Sequence, residues 1–306
     1  MLRTHTAKRS AHCILIAVLT AFLPLKAVAD VRLMDDTERE VLLSRPAQRI
    51  VSLSPHLTEL VFAVGGGGQL VGTVSFSDYP EAANDIPRIG SYNTINYEAI
   101  VQMQPDLVLA WGSGNGEEKI SKLKSLGLTV YISEPKILED VALSLQKIGI
   151  LVGNKDQGND EAENFLKRLT KLKKNYSNQS QVSVFYQLSS EPIMTLSGRH
   201  LISDVVALCG GRNVFAEALP IALKANKESL LRSNPQVVIA GAEKKNQLAW
   251  LDRWKRLSSI TAVQNGHIYF IHPDLLSRHT PRIIDGAEKM CNFLAKVRNQ
   301  KKETER

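Results

Sequence analysis

Seven short apolar runs limit what this chain can become. They occupy residues 49–53, 70–74, 106–110, 130–132, 182–188, 237–240 and 268–271. Most are β-branched and continuously hydrophobic, which suits strands covered on both faces of a sheet. Segments with helical spacing of apolar residues lie between them, at 57–64, 97–103, 118–126 and 204–209. Strands alternating with helices predict an α/β fold with central, largely parallel sheets. The 306 residues are 43% hydrophobic and 23% charged, which is too apolar for a disordered chain. The sequence does not repeat apolar spans of about 20 residues, as a multi-pass membrane protein would.

The middle of the chain departs from this alternation. Leu138, Val141, Leu145 and Ile148 keep helical spacing, a Gly- and Asn-rich break is expected at residues 153–158, and Phe165, Leu169, Leu172 and Tyr176 resume the pattern. A helix over 160–175 is about 24 Å long at 1.5 Å per residue. Its acidic start (Asp160, Glu161, Glu163) and basic end (Lys171, Lys173, Lys174) complement the helix dipole. Such a rod either joins two lobes or is one more surface helix of a single domain.

A degenerate internal repeat favours two lobes. The segment from Asn96 through Glu98 and Pro105 to Ala110 matches that from Asn226 through Glu228 and Pro235 to Ala240. In each, Asn caps a short helix, Glu occupies its first turn, Pro follows, and an apolar strand comes next. Capping and dipole chemistry explain Asn and Glu separately, but not the shared order of all four features. The expected layout is a lead-in over 30–48, an α/β lobe over 49–136, a helical connector over 137–180, a second α/β lobe over 181–298 and a charged tail over 299–306.

Residues 1–29 have the pattern of a secretory signal peptide. Arg3, Lys8 and Arg9 precede an apolar run from Cys13 to Leu23, and Ala27 and Ala29 place cleavage after Ala29. That segment takes with it four basic residues and no acid, so most of the formal charge of +7 is lost. What remains shows no basic stripe interleaved with aromatic residues, and nucleic-acid binding is not expected. Cys13 also leaves. Cys209 and Cys291 remain as an even pair in an oxidising compartment, either bridged or as two free buried thiols.

Common site chemistries find little support. Gly65 to Gly68 lacks a following Gly-Lys-Ser/Thr and fails Gly-x-Gly-x-x-Gly spacing, so it is read as a helix-to-strand connection. Gly112-Ser113-Gly114-Asn115-Gly116 is read as a flexible loop at a sheet's carboxyl edge, where open α/β folds bind ligands. His56, His200, His267, His272 and His279 show no metal-ligand spacing, and no metal is expected; His56 and His279 are the candidates if distant positions converge. No Gly-x-Ser-x-Gly elbow is present. Phe76, Tyr79, Tyr92 and Trp111 cluster after strands. Individually they suit packing; together they suit a cleft for a large, flat, partly apolar ligand.

Longer stretches carry a family resemblance. They are Arg49-Ile50-Val51-Ser52-Leu53-Ser54-Pro55-His56-Leu57-Thr58-Glu59-Leu60, Phe76-Ser77-Asp78-Tyr79-Pro80, Pro105-Asp106-Leu107-Val108-Leu109-Ala110-Trp111, Cys209-Gly210-Gly211-Arg212-Asn213-Val214-Phe215 and Pro281-Arg282. Through them the chain, from Arg49 to the helix containing Cys291, resembles the periplasmic solute-binding proteins of ABC importers, and among these the cobalamin-binding group. The resemblance implies two α/β lobes joined by a single rigid backbone helix with a ligand cleft between them, no enzymatic activity, and no cofactor other than cobalamin as the transported ligand. It implies a periplasmic monomer with the importer's inner-membrane permease subunits as partners.

By the same resemblance, ligand contacts map to Phe76, Tyr92 and Trp111 in the first lobe. In the second they map to Leu188 and Met194 and to the loop Asp274, Leu275, Leu276, Ser277 and Arg278. This chain departs from the group in its second lobe. Leu188 and Met194 stand where aromatic residues are usual, Pro220-Ile221-Ala222 lacks a Trp, and Leu275-Leu276 replaces an aromatic pair. Apolar contact is kept without ring stacking. Asp274 and Arg278 are the expected polar partners of the corrin's amide side chains. Glu98 and Glu228 map to the carboxylates that dock onto Arg residues of the membrane subunits, and a stiff connector implies little lobe closure. The alternatives are a haem or ferric-siderophore binder of the same superfamily and, more remotely, an exported α/β hydrolase.

Overall fold

Two four-stranded parallel sheets form, seven of their eight strands where the sequence places its apolar runs and the eighth at Gly211–Asn213, which has no such run. The structure, a computed structural model, describes residues 30–91 and 94–304; the expected signal segment and Tyr92 lie outside the described residues. The chain enters through a hairpin, β1 (Val31–Met34) and β2 (Glu40–Leu43), within the stretch expected to be a plain lead-in. The first lobe follows as β3 (Ile50–Ser52), α1 (Pro55–Ala63), β4 (Leu70–Gly72), α2 (Tyr97–Gln102), β5 (Leu107–Trp111), α3 (Gly112–Asn115), α4 (Glu117–Ser125) and β6 (Val130–Ser133). Two long helices come next, α5 (Leu138–Val152) and α6 (Lys155–Tyr176).

The second lobe contains β7 (Val182–Gln187), β8 (Ser189–Ser190), β9 (Ile193–Leu196), α7 (Leu201–Leu208), β10 (Gly211–Asn213), β11 (Ala222–Lys224), α8 (Lys227–Ser233), β12 (Val237–Gly241), α9 (Gln247–Lys255), α10 (Thr261–Gln264), β13 (Ile268–Ile271), α11 (Asp274–Ser277) and α12 (Ile283–Thr304). The last helix extends through most of the stretch expected to be a tail. Strands β8, β9 and β11 form a small antiparallel sheet that the sequence reading did not anticipate.

The main sheets have orders β4-β3-β5-β6 and β10-β7-β12-β13. Counted within each lobe, both orders are 2-1-3-4, so the repeat extends to topology. Their registers, such as Val51 opposite Val108 and Val238 opposite Ile268, are parallel throughout. Alternation along the strands splits the core. Ile50, Leu107, Leu109, Val184, Tyr186, Val237 and Ile239 face one apolar cluster that also contains α1, α5, α6, α7 and α12 residues. Val51, Val108 and Ala110 face a second cluster, and Phe185 and Val238 a third. The first cluster runs without interruption through both lobes.

The connector corrects one expectation. The break expected over 153–158 is confined to Gly153 and Asn154, and α6 restarts at Lys155. At 22 residues α6 is about 33 Å long. Asp156 is the acid in its first turn, so Asp160, Glu161 and Glu163 lie further along. Gly158 sits inside the helix because α5 passes there: a Cβ on Gly149 would lie 2.9 Å from the Gly158 Cα, and one on Gly158 would lie 2.8 Å from the Leu145 carbonyl oxygen. The two helices therefore touch backbone to backbone. Both ends of the pair are tied down: Asn154 donates to the Val64 carbonyl, Asp204 accepts from the Leu138 N–H, and Arg168 pairs with Asp285 and Glu288.

Cys209, which caps α7, is bonded to Cys291 of α12; closing a loop of 82 positions contributes up to about 4–5 kcal/mol in the chain-entropy picture. Gly158→Val should destabilise the chain by about 1–3 kcal/mol through overpacking of the helix crossing. Urea denaturation checks this, and an unchanged midpoint would show that α5 and α6 do not approach as closely as described.

Candidate functional site

The segment from Ser52 to Glu59 builds its own local structure. Ser54 caps α1 by accepting the Leu57 N–H, and Pro55 sits at the first helical position, where its missing N–H costs nothing. The Thr58 hydroxyl is buried in a network with Ser52, Thr73 and Ser77. This network fixes the loop after β4, where Phe76 adopts φ +66 and is 71% exposed. A side chain in the left-handed region costs of order 1–3 kcal/mol and persists only where its surroundings enforce it.

Trp111 ends β5 at the same edge. Asn115 is buried, accepts the Trp111 N–H and donates to the Leu53 carbonyl, joining the ends of β5 and β3. The stretch expected to be a flexible loop is instead the helical turn α3. Its Gly114 is required by close approach, since a Cβ there would lie 1.8 Å from the indole ring. The Trp111 Nε1 is buried without a hydrogen-bond partner.

Cross-lobe contacts then bring the carboxyl edges of the two sheets together. Glu59 of α1, 3% exposed, accepts both Nε and Nη2 of Arg282 at 2.7 Å and the Thr280 hydroxyl at 2.6 Å. Arg282 also lies 3.6 Å from the centre of the Tyr79 ring. Burial works against the Arg282 charge, but Glu59 outweighs it and the guanidinium pKa is raised. Arg278 donates to the Phe76 carbonyl and Asp78 of the first lobe and pairs with Asp274 of its own.

The resulting cleft encloses about 630 Å³. It is lined by Pro55, His56, Phe76, Asp78 and Trp111 from one lobe and by Glu243, His272, Pro273, Asp274, Ser277 and Arg278 from the other. These follow the ends of β3, β4, β5, β12 and β13, the carboxyl edge at which open α/β sheets bind ligands. Of the expected ligand residues, Phe76, Trp111, Asp274, Ser277 and Arg278 meet here. Leu276 does not, because it is fully buried in the core against α12. Leu188 and Leu275 pack on the same core, and Met194 lies on β9, outside the cleft lining. Sequence reasoning does not single out Asp78, Glu243 or His272: Asp78 lies within the Phe76–Pro80 motif, and Glu243 and His272 have only their places after strands to signal them.

Beneath the cleft, imidazoles from both lobes pack on Trp111. His56 and His279 lie 5.2 and 5.8 Å from its ring and 5.3 Å from each other, and His200 is 5.7 Å from His279. Both nitrogens of His279 are buried and unpartnered. Among the described residues no group of side chains is arranged to hold a metal. Burial, together with the nearby Arg278 charge, lowers the His56 pKa to about 3; burial lowers that of His200 to about 4, and His279 falls well below 6.5 by burial and by its two histidine neighbours.

The two docking candidates occupy equivalent places. Asn96 and Asn226 cap α2 and α8 by accepting the Ala99 and Ser229 N–H groups, and both helices are followed by positive-φ residues, Gln104 and Asn234, before Pro105 and Pro235. Glu98 and Glu228 are exposed and have no hydrogen-bond or ion-pair partner among the described residues.

The histidines set a pH dependence. They are neutral when folded and titrate near 6.5 when unfolded, so the unfolded chain binds more protons between these limits. The stability they contribute is present above pH 6.5 and is lost as pH falls toward 4. At pH 5 a histidine shifted as His56 is costs about 2 kcal/mol. Urea midpoints should drop between pH 7 and pH 5, and less so in His279→Leu; equal drops would remove the cluster as the cause. Gly114→Ala should displace the Trp111 ring, seen as a shift in tryptophan emission; an unchanged spectrum would contradict the close approach.

Comparison with known proteins agrees with this architecture. The periplasmic binding protein family matches residues 50–275. A Vibrio cholerae protein named vitamin B12-binding protein is 36% identical over 256 residues, covering 83% of this chain and 92% of its own. The crystal structure of the periplasmic vitamin B12 binding protein BtuF of Vibrio cholerae superposes with a TM-score of 0.78 at 35% identity, covering 83% of this chain and 98% of that one. The periplasmic heme-binding protein RhuT from Roseiflexus, at 20% identity and a TM-score of 0.72 over 82% and 99% of the two chains, shares the fold. With two 2-1-3-4 lobes meeting at their carboxyl edges across a cleft, the chain belongs to the periplasmic binding protein family.

Proposed function

We propose that this chain is exported with cleavage after Ala29, binds cobalamin between its lobes and delivers it, as a monomer and without chemical change, to the inner-membrane subunits of an ABC importer. The observation that carries the reading is the 36% identity, across nearly the whole relative, with a protein named for vitamin B12 binding. The lobes are taken to span 49–136 and 181–298, with the connector over 137–180.

Phe76 and Trp111 offer the corrin edge apolar ring surface, and the family resemblance assigns Tyr92 as a third ligand contact. Asp274 faces the cleft as a partner for the amide side chains, while Ser277 lines it with its hydroxyl buried. Arg278 acts chiefly as a positioning residue, since its guanidinium already holds Asp78 and Asp274 in place. Leu188, Met194, Leu275 and Leu276 back the second wall rather than touch the ligand. The shared core and the backbone contact of α5 with α6 support a binding site that is largely formed in advance. Glu98 and Glu228, one free carboxylate per lobe, suit charge-assisted contacts with paired basic residues on the membrane subunits.

Titration of the purified chain with cyanocobalamin, followed by tryptophan emission, should saturate at micromolar ligand or below. Trp111→Ala should weaken binding about tenfold or more, or roughly 1.4 kcal/mol. A Soret shift with haemin and no response to cyanocobalamin would replace the ligand assignment.

A further inference from the structure

A second concavity lies on the first lobe, apart from the ligand cleft. It encloses about 940 Å³ beside Glu98, and Ile95, Tyr97 and Val101 of the α2 region face Leu126 beyond α4 across it. Val101 is 44% exposed and Leu126 40%. Two exposed aliphatic side chains converging on one groove differ from the scattered apolar residues of an ordinary surface.

The internal repeat shows what is particular about this place. Val101 follows Glu98 by three positions, and Leu231 follows Glu228 by three, so each lobe presents a carboxylate and an exposed aliphatic on one helical face. Leu231 is 38% exposed. Around them the lobes differ. Where α2 has Tyr97 and Gln102, α8 has Lys227 and Arg232, with Lys224 close by in sequence. The groove accompanies Glu98, and Lys122 of α4 stands on its lining beside the apolar side chains.

We propose that the groove is the anchoring half of the transporter-docking surface, taking an apolar side chain that a membrane subunit carries next to the basic residue contacting Glu98. This rests on the docking role assigned above to Glu98 and Glu228. The carboxylate at the rim selects a partner segment that is basic and apolar together. Continuity with Glu98 places that segment in the groove when the ion pair forms. Charges at such a contact set encounter and orientation, whereas a buried apolar anchor sets residence time. The groove thus gives the first lobe an apolar hold on the complex, whereas Lys227 and Arg232 flank Glu228 on α8 in the second.

The test uses the full mature chain and the permease–ATPase complex of the same organism in lipid nanodiscs, with dissociation constants and off-rates read by interferometry. Val101→Ser combined with Leu126→Ser should raise Kd about tenfold or more, mainly through faster dissociation. Leu231→Ser should stay within about threefold, and Val101→Ile should bind like the unaltered chain. Cobalamin affinity and circular dichroism should be unchanged in all of them, since both sites are exposed. If the double variant misfolds, Val101→Gln and Leu126→Gln separately give the same reading.

A double variant that binds within about twofold of the unaltered chain, while Glu98→Ala with Glu228→Ala binds weakly, would overturn the groove and leave the docking role standing. If neither pair of changes weakens binding, or the unaltered chain fails to bind, both readings fall. A double variant that instead converts a dimer of this chain to monomer would make a second copy the occupant and overturn the proposal.

Discussion

The contact between Glu59 and Arg282 determines where everything else in the cleft can be. Glu59 lies in the first turns of α1 and Arg282 just before α12, 223 positions apart. Bringing two charges out of water is expensive, and a buried pair adds little net stability compared with well-packed apolar residues. It is nonetheless selective. The paired hydrogen bonds to one guanidinium, with Thr280 on the same carboxylate, are satisfied only when the sheet edges face each other at one distance and angle. Phe76, Trp111, Asp274 and Arg278 then meet because each ends or follows a strand at one of those edges.

The architecture was largely legible in the sequence because its causes are local. Continuous β-branched runs gave the parallel strands, and the capped helices beginning at Asn96 and Asn226 marked the repeat that the matching strand orders bear out. The unexpected parts depend on contacts between distant residues. Gly158 reads as a helix breaker until Gly149 is found against it, and Gly112-Ser113-Gly114 reads as slack until the indole is seen to need the room. The β1–β2 hairpin is short and lacks an Asn-Gly turn; its place is set by Asp36, which accepts from the Glu134 N–H and pairs with Lys147.

The candidate site was legible only in part, for the same reason. Phe76 and Trp111 announce themselves as aromatic residues after strands, yet spacing gives no reason to pair Glu59 with Arg282 or to gather His56, His200 and His279. Position along a motif also says little about direction. Leu275 and Leu276 are neighbours beside the cleft, but a short helix turns them toward α12 and leaves Asp274 and Ser277 facing the ligand side.

The backbone passes from one lobe to the other once, through α6. The apolar cluster, the Glu59–Arg282 pair and the Arg278 contacts cross the same boundary without any peptide bond. Covalent continuity is thus a minor part of what unites the halves. Two polypeptides divided in the turn after Tyr176 would each keep a complete sheet, with the apolar cluster and the Glu59–Arg282 pair still lying between them.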